Sequence, residues 1–155
     1  MITPSDLNAY LGKNISAICN NGFVAPNDNH CAHFVSHAMN YRFGYNCQLA
    51  GHGKNPGMNI RVHEVFAKCP SVGAWADRPA TLSPCLVFVT GASNVNVAKK
   101  VMENIPKKHI GIFIGGTIWH YSNSHHKVVT QTPEEFIKHY PTVQDSALFF
   151  GALIP

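Results

Sequence analysis

The chain is 155 residues long, within the roughly 100–200 residues that one hydrophobic core usually occupies, and residues 1–155 are read as a single domain. Hydrophobic residues make up 45% and charged residues only 13%, which excludes a highly charged, disordered chain. The net charge of +4 is spread thinly, with only Lys99-Lys100 and Lys107-Lys108 adjacent, so no nucleic-acid partner is expected, and no apolar run approaches the roughly 20 residues of a transmembrane segment.

Residues 1–7 carry neither the basic nor the apolar stretch of a secretory signal, so the expectation is a cytoplasmic protein or one exported by a non-classical route, through a secretion system or phage lysis. Thr3-Pro4-Ser5-Asp6 starts a short helix, because proline at the first helical position loses no hydrogen bond. Residues 20–29, rich in Asn, Gly and Pro, read as a loop ending in Asp28-Asn29, either of which can cap a following helix. Over residues 31–42, Ala32, Val35, Ala38 and Met39 recur at helical spacing, while His33, His37 and Asn40 share another face. Residues 44–57 read as a long loop, after which Asn59 caps a short helix through Phe66 that Pro70 stops. Leu86-Val87-Phe88-Val89 is a strand, and Asn94 opens a helix carrying Val97, Val101 and Ile105. Residues 109–114 and 117–122 flank Gly115-Gly116 as a tight hairpin, and residues 127–130 add a third strand. Thr132-Pro133-Glu134-Glu135 is a capping box for a helix ending near Tyr140, and residues 147–152 supply a last strand. Helices that lead and an antiparallel sheet that follows make an α+β fold.

Cys31 falls in the first turn of its helix, where unpaired N–H groups and the positive dipole end lower a thiol's pKa, and where its own N–H can serve an oxyanion. Free cysteines are more commonly buried core residues, and Cys19, Cys47, Cys69 and Cys85, in loops or at element edges, suggest no catalytic role. Five cysteines without a CxxC pair fit neither a disulfide framework nor a zinc ribbon. In the hairpin, a two-residue turn makes paired positions sum to 231, which puts His109 and His120 on one face as diagonal neighbours within side-chain reach. Gly111 between them leaves room for a helix to approach. His109 then suits a general base, and His120 the group that orients it. Asn27, Asn29 and Tyr10 are candidate oxyanion donors, and the loops at 46–59 and 123–126 are candidate cleft walls.

Asn29-His30-Cys31-Ala32-His33-Phe34-Val35 at a helix start, then Leu86-Val87-Phe88-Val89, then His109-Ile110-Gly111-Ile112-Phe113-Ile114-Gly115-Gly116 and His120 on the next strand, resembles the NlpC-type branch of the papain-like cysteine peptidases and amidases. In that family a cysteine opens a helix packed on an antiparallel sheet, a histidine opens the next core strand in an H-x-G-I-Y-I-G pattern, and a polar residue follows on the strand after it. The resemblance implies a papain-like, NlpC-type α+β fold, with Cys31 as nucleophile, His109 as base and His120 as orienter. It implies a peptide or peptidoglycan-fragment substrate, and neither cofactor nor metal. The family's usual Asp-Cys-Ser-Gly reads His30-Cys31-Ala32-His33 here, and a long segment, residues 90–108, precedes the histidine.

The same cysteine string is similar to the Asn-Cys-Glu-His-Phe-Val of lecithin:retinol acyltransferase-like proteins, permuted relatives in which the histidine comes first; the order here matches the unpermuted branch. A cysteine acyltransferase, or another amide or ester hydrolase of this fold, is the near alternative. From a different class, His33 and His37, four apart on one helix face, suggest a metal-binding module without catalysis, with His30, Cys31, His125 or His126 as further ligands. A non-catalytic binding domain of the same fold is the third reading.

Overall fold

The computed structural model describes residues 1–50 and 59–155. A capping box between Thr3 and Asp6, with Pro4 in the first turn, opens α1 (Pro4–Asn8). α2 (Cys31–Met39) stops earlier than its apolar spacing suggests, because Asn40 takes a left-handed conformation at φ 57° and closes the helix. α3 (Val62–Lys68) follows, and then come β1 (Val72–Ala74) and β2 (Cys85–Gly91).

The helix expected from Asn94 through Ile105 is instead a small hairpin of β3 (Val95–Asn96) and β4 (Val101–Met102). Its apolar spacing suits a helix, but Val95, Val97 and Val101 lose rotamer freedom there, and asparagine offers the backbone turn bonds instead. The Asn96 Oδ1 accepts from the Lys99 N–H at 3.1 Å, and Lys100 turns the chain at φ 52°.

β5 (Lys108–Ile114) and β6 (Thr117–Ser122) form the expected hairpin, in which Ile114 pairs with Thr117 and Ile112 with Trp119. Gly115 and Gly116, at φ 57° and 97°, supply the two left-handed residues that such a turn needs. β7 (Lys127–Gln131), α4 (Pro133–Phe136) and β8 (Ser146–Gly151) complete the order. The fold is mixed α+β, and its central feature is a six-stranded antiparallel sheet in the order β1-β8-β2-β5-β6-β7.

Strand alternation divides the core between the two faces of this sheet. Ile110, Ile112, Trp119 and Tyr121 pack with Leu7, Phe34, Val65 and Phe66 from the three leading helices. Val87, Val89, Phe113 and Ile118 pack on the opposite face with Phe136, Leu148 and Phe150. Among the described residues no helix is long and apolar enough to cross a membrane.

Candidate active site

His109 and His120 lie on the sheet face that carries Phe136, as the hairpin register requires, and their rings meet edge to face. His109 Nε2 is 2.9 Å from His120 Nδ1, and His120 Nε2 is 2.7 Å from Gln131 Oε1. An amide oxygen only accepts, so His120 Nε2 carries the proton and its Nδ1 is left as an acceptor. His109 Nε2 must therefore donate to His120. His109 Nδ1 remains a bare lone pair, and it is buried without a hydrogen-bond partner. Burial, reinforced by the neighbouring His120 and His139, holds His109 well below the ordinary imidazole range, and burial brings His120 down to about 4. Both rings are neutral at pH 7.

His139, just beyond α4, stacks flat on His109 at 4.0 Å between ring centroids. Neither Gln131 nor His139 was expected at the site. Gln131 was reachable by the same argument that joined the histidines. Ile118 pairs with Gln131 and His120 with Val129, which makes Gln131 a diagonal neighbour of His120. The third strand extends one residue further than the expected 127–130 and so includes it.

Cys31 opens α2 on the other side of the sheet. His30 occupies the cap position without a side-chain cap bond, while the Asn29 Oδ1 accepts from the Cys31 N–H at 3.0 Å. That oxygen also accepts from Asn123 Nδ2 at 3.0 Å, and Asn123 Oδ1 accepts from the His30 N–H at 2.9 Å. The Cys31 N–H expected to face an oxyanion is thus engaged by a side chain two residues upstream, a local bond that asparagine makes readily.

The N–H groups of Ile110 and Ala32 point at the Cys31 sulfur. The β5–β6 ladder ends at the pair Ile112 and Trp119, so Ile110 lies below the paired part of the hairpin, where its N–H meets the sulfur. Cys31 is therefore seated against the residue next to His109, without a hydrogen bond from its thiol to the bare Nδ1. Burial pushes this thiol up to about 11, opposite to the lowering expected at a helix start, because loss of solvent outweighs the N–H groups aimed at the sulfur. Gly111 also has a different role from the one expected. A Cβ there would fall 2.6 Å from Ile118 Cγ2 and 3.1 Å from the Trp119 carbonyl oxygen, so the glycine admits β6 rather than a helix.

A cavity of about 280 Å³ opens in front of Cys31, with Asn29, Asn59, Arg61 and Lys108 among its walls. Of the expected wall at 46–59, Asn59 takes part, Asn46 lines a separate cavity beside His37, and residues 51–58 lie outside the described ones. From the loop at 123–126, Asn123 acts through its bonds to Asn29 and His30. Asn27 is exposed, and Tyr10 packs edge-on against Phe34 at 5.6 Å.

Another face of α2 carries a second cluster. Ligand atoms of Cys19, His33, His37 and Cys47 all lie within 4.8 Å of one another. Of the residues considered for a metal, His33 and His37 are here, and His30 is bonded to His33. Cys31 faces Ile110, His125 bonds Ser122 and His126 is exposed, so none of these three joins the cluster. Searched against protein-family models, curated proteins and solved structures, the chain matches none of them.

Proposed function

We propose that this chain is a cysteine amidase or peptidase that hydrolyses an amide bond through a thioester on Cys31, with peptidoglycan peptides as its substrate class. The observation that carries the reading is the Gln131–His120–His109 relay. It ends in an unprotonated, buried Nδ1 on the residue beside Ile110, whose N–H points at the Cys31 sulfur. The NlpC-type order of cysteine, histidine and third polar residue supports the papain-like assignment.

In this mechanism the Cys31 thiol gives its proton to His109 Nδ1 as the sulfur attacks the substrate carbonyl carbon. The tetrahedral intermediate collapses, the C–N bond breaks, and His109 passes the proton to the leaving amine. A water deprotonated by His109 then attacks the thioester, and Cys31 leaves and recovers its proton. Throughout, His109 Nε2–H keeps donating to His120, which fixes the ring and disperses the imidazolium charge when it forms. Arg61 and Lys108 against Asp28 leave the cavity wall with an excess of one positive charge, which suits the free carboxylates of stem peptides.

The test is digestion of a panel of peptidoglycan fragments, with mass spectrometry of both products and protein. Cleavage at one amide, with a transient acyl adduct on Cys31, is expected. Equal cleavage by Cys31→Ala would overturn the reading, and transfer of the acyl group to an acceptor other than water would make the protein an acyltransferase.

A further inference from the structure

We propose that Cys19, His33, His37 and Cys47 bind one zinc ion, and that this ion anchors the helix that presents Cys31. The Cys19 and Cys47 sulfurs are 3.7 Å apart, and the Nε2 atoms of His33 and His37 are 3.1 Å apart. Tetrahedral zinc, with bonds of about 2.3 Å to sulfur and about 2.0–2.1 Å to nitrogen, separates paired sulfurs by about 3.8 Å and paired nitrogens by about 3.3 Å. The four side chains already stand close to those separations.

For His33 the hydrogen bonds also set the protonation that a ligand needs, whereas His37 Nε2, which donates to His33 Nε2 across 3.1 Å, must shift its proton to Nδ1 when the ion enters. His30 Nε2 lies 2.8 Å from the Ala25 carbonyl oxygen and must donate to it, so His30 Nδ1 is an acceptor. His33 Nδ1, 3.1 Å away, donates to that acceptor, and this leaves His33 Nε2 bare and turned toward His37 and the sulfurs. A ligand histidine with its far N–H held by a second acceptor is the usual arrangement around zinc. The sulfurs are held as well: the Asn21 N–H donates to Cys19 Sγ at 3.4 Å and Asn21 Nδ2 to Cys47 Sγ at 2.7 Å, so one residue fixes both. Beside them the Tyr45 hydroxyl is buried without a partner.

Cys19, His33 and Cys47 are buried and His37 is half-buried, next to a cavity of about 290 Å³ through which an ion can reach the site. Two thiolates and two neutral imidazoles cancel a divalent charge, which suits a buried site. The sulfur–nitrogen set favours zinc over the hard oxygen-seeking cations, and four protein ligands leave no open position for catalysis. The role is therefore structural. α2 has only nine residues and no side-chain N-cap bond, so little in the helix itself holds it in place. The ion would tie it to Cys19 on one side and Cys47 on the other, with His33 two residues from Cys31. This site does not depend on the chemistry proposed for Cys31.

The experiment is metal analysis of the full chain purified without chelator, followed by removal of the metal and titration with cobalt(II). One zinc per chain is expected, along with tetrahedral visible bands and a thiolate-to-cobalt charge-transfer band of two-sulfur intensity. Cys47→Ala and His37→Ala should each weaken cobalt binding by roughly 100-fold or more, whereas His125→Ala should leave it unchanged. Should the ligand variants fail to fold, the cobalt spectrum of the unaltered chain still decides. Metal-free protein that develops no such bands, a Cys19–Cys47 disulfide in the purified chain, or bands unaffected by Cys47→Ala would overturn the proposal.

Discussion

Two chains of histidine rings lie on opposite faces of one sheet, and they are wired alike but end differently. On one face the wire starts at the Gln131 amide oxygen, passes through His120 and ends in the bare Nδ1 of His109. On the other it starts at the Ala25 carbonyl, passes through His30 and ends in the bare Nε2 of His33, which faces His37 and two sulfurs. In both, an oxygen that can only accept sets the tautomer of every ring downstream. A buried lone pair without a partner is equipped to take a proton, whereas a lone pair among three other donors is equipped to hold a metal.

Removing the terminal ring on the sheet side breaks the comparison most severely. His109→Ala should lower amide turnover by roughly a thousandfold, within the range expected for a general base, while cobalt binding at α2 stays intact. Steady-state kinetics and cobalt titration on the same preparation check both halves. Cutting the wire at its source is gentler. Gln131→Leu frees His120 to reverse its tautomer, so turnover should fall roughly 10- to 100-fold with little change in KM, because the ring is misoriented rather than removed.

Gly111→Ala sharpens the contrast through packing. The added methyl meets Ile118 and the Trp119 carbonyl, which should cost about 1–3 kcal/mol in urea denaturation and displace His120 from His109. The smallest effect comes from pH. His109, His120 and His139 all have pKa values lowered by burial, from an unfolded value of 6.5. Below about pH 6.5 the unfolded chain binds protons that these folded rings refuse, so stability is full above that pH and falls as the pH drops. The slope is up to about 1.4 kcal/mol per pH unit for each ring. Urea denaturation at a series of pH values should show this loss, and replacing His120 with Gln should flatten it.

What could be read from the sequence follows from which residues fix their own geometry. Gly115-Gly116 sets a two-residue turn, the turn sets the register, and the register sets the His109–His120 diagonal. Gln131 lies one residue beyond the strand that the sequence indicates at 127–130. The segment after Asn94 misled because apolar spacing and backbone preference disagreed there, and β-branching with asparagine turns prevailed. Cys31 opens its helix as the loop ending in Asp28-Asn29 suggests, but its thiol follows burial, which depends on the whole core. Cys19 and Cys47 are 28 positions apart, in irregular segments on either side of α2, so only the folded chain brings them to His33 and His37.

The most direct test of the wiring at the site is long-range proton–nitrogen correlation NMR on histidine-labelled protein. The account predicts that at neutral pH His109 is uncharged, with its proton on Nε2 and an unprotonated Nδ1. A proton on Nδ1, or an imidazolium at neutral pH, would remove the base from the site and contradict the mechanism.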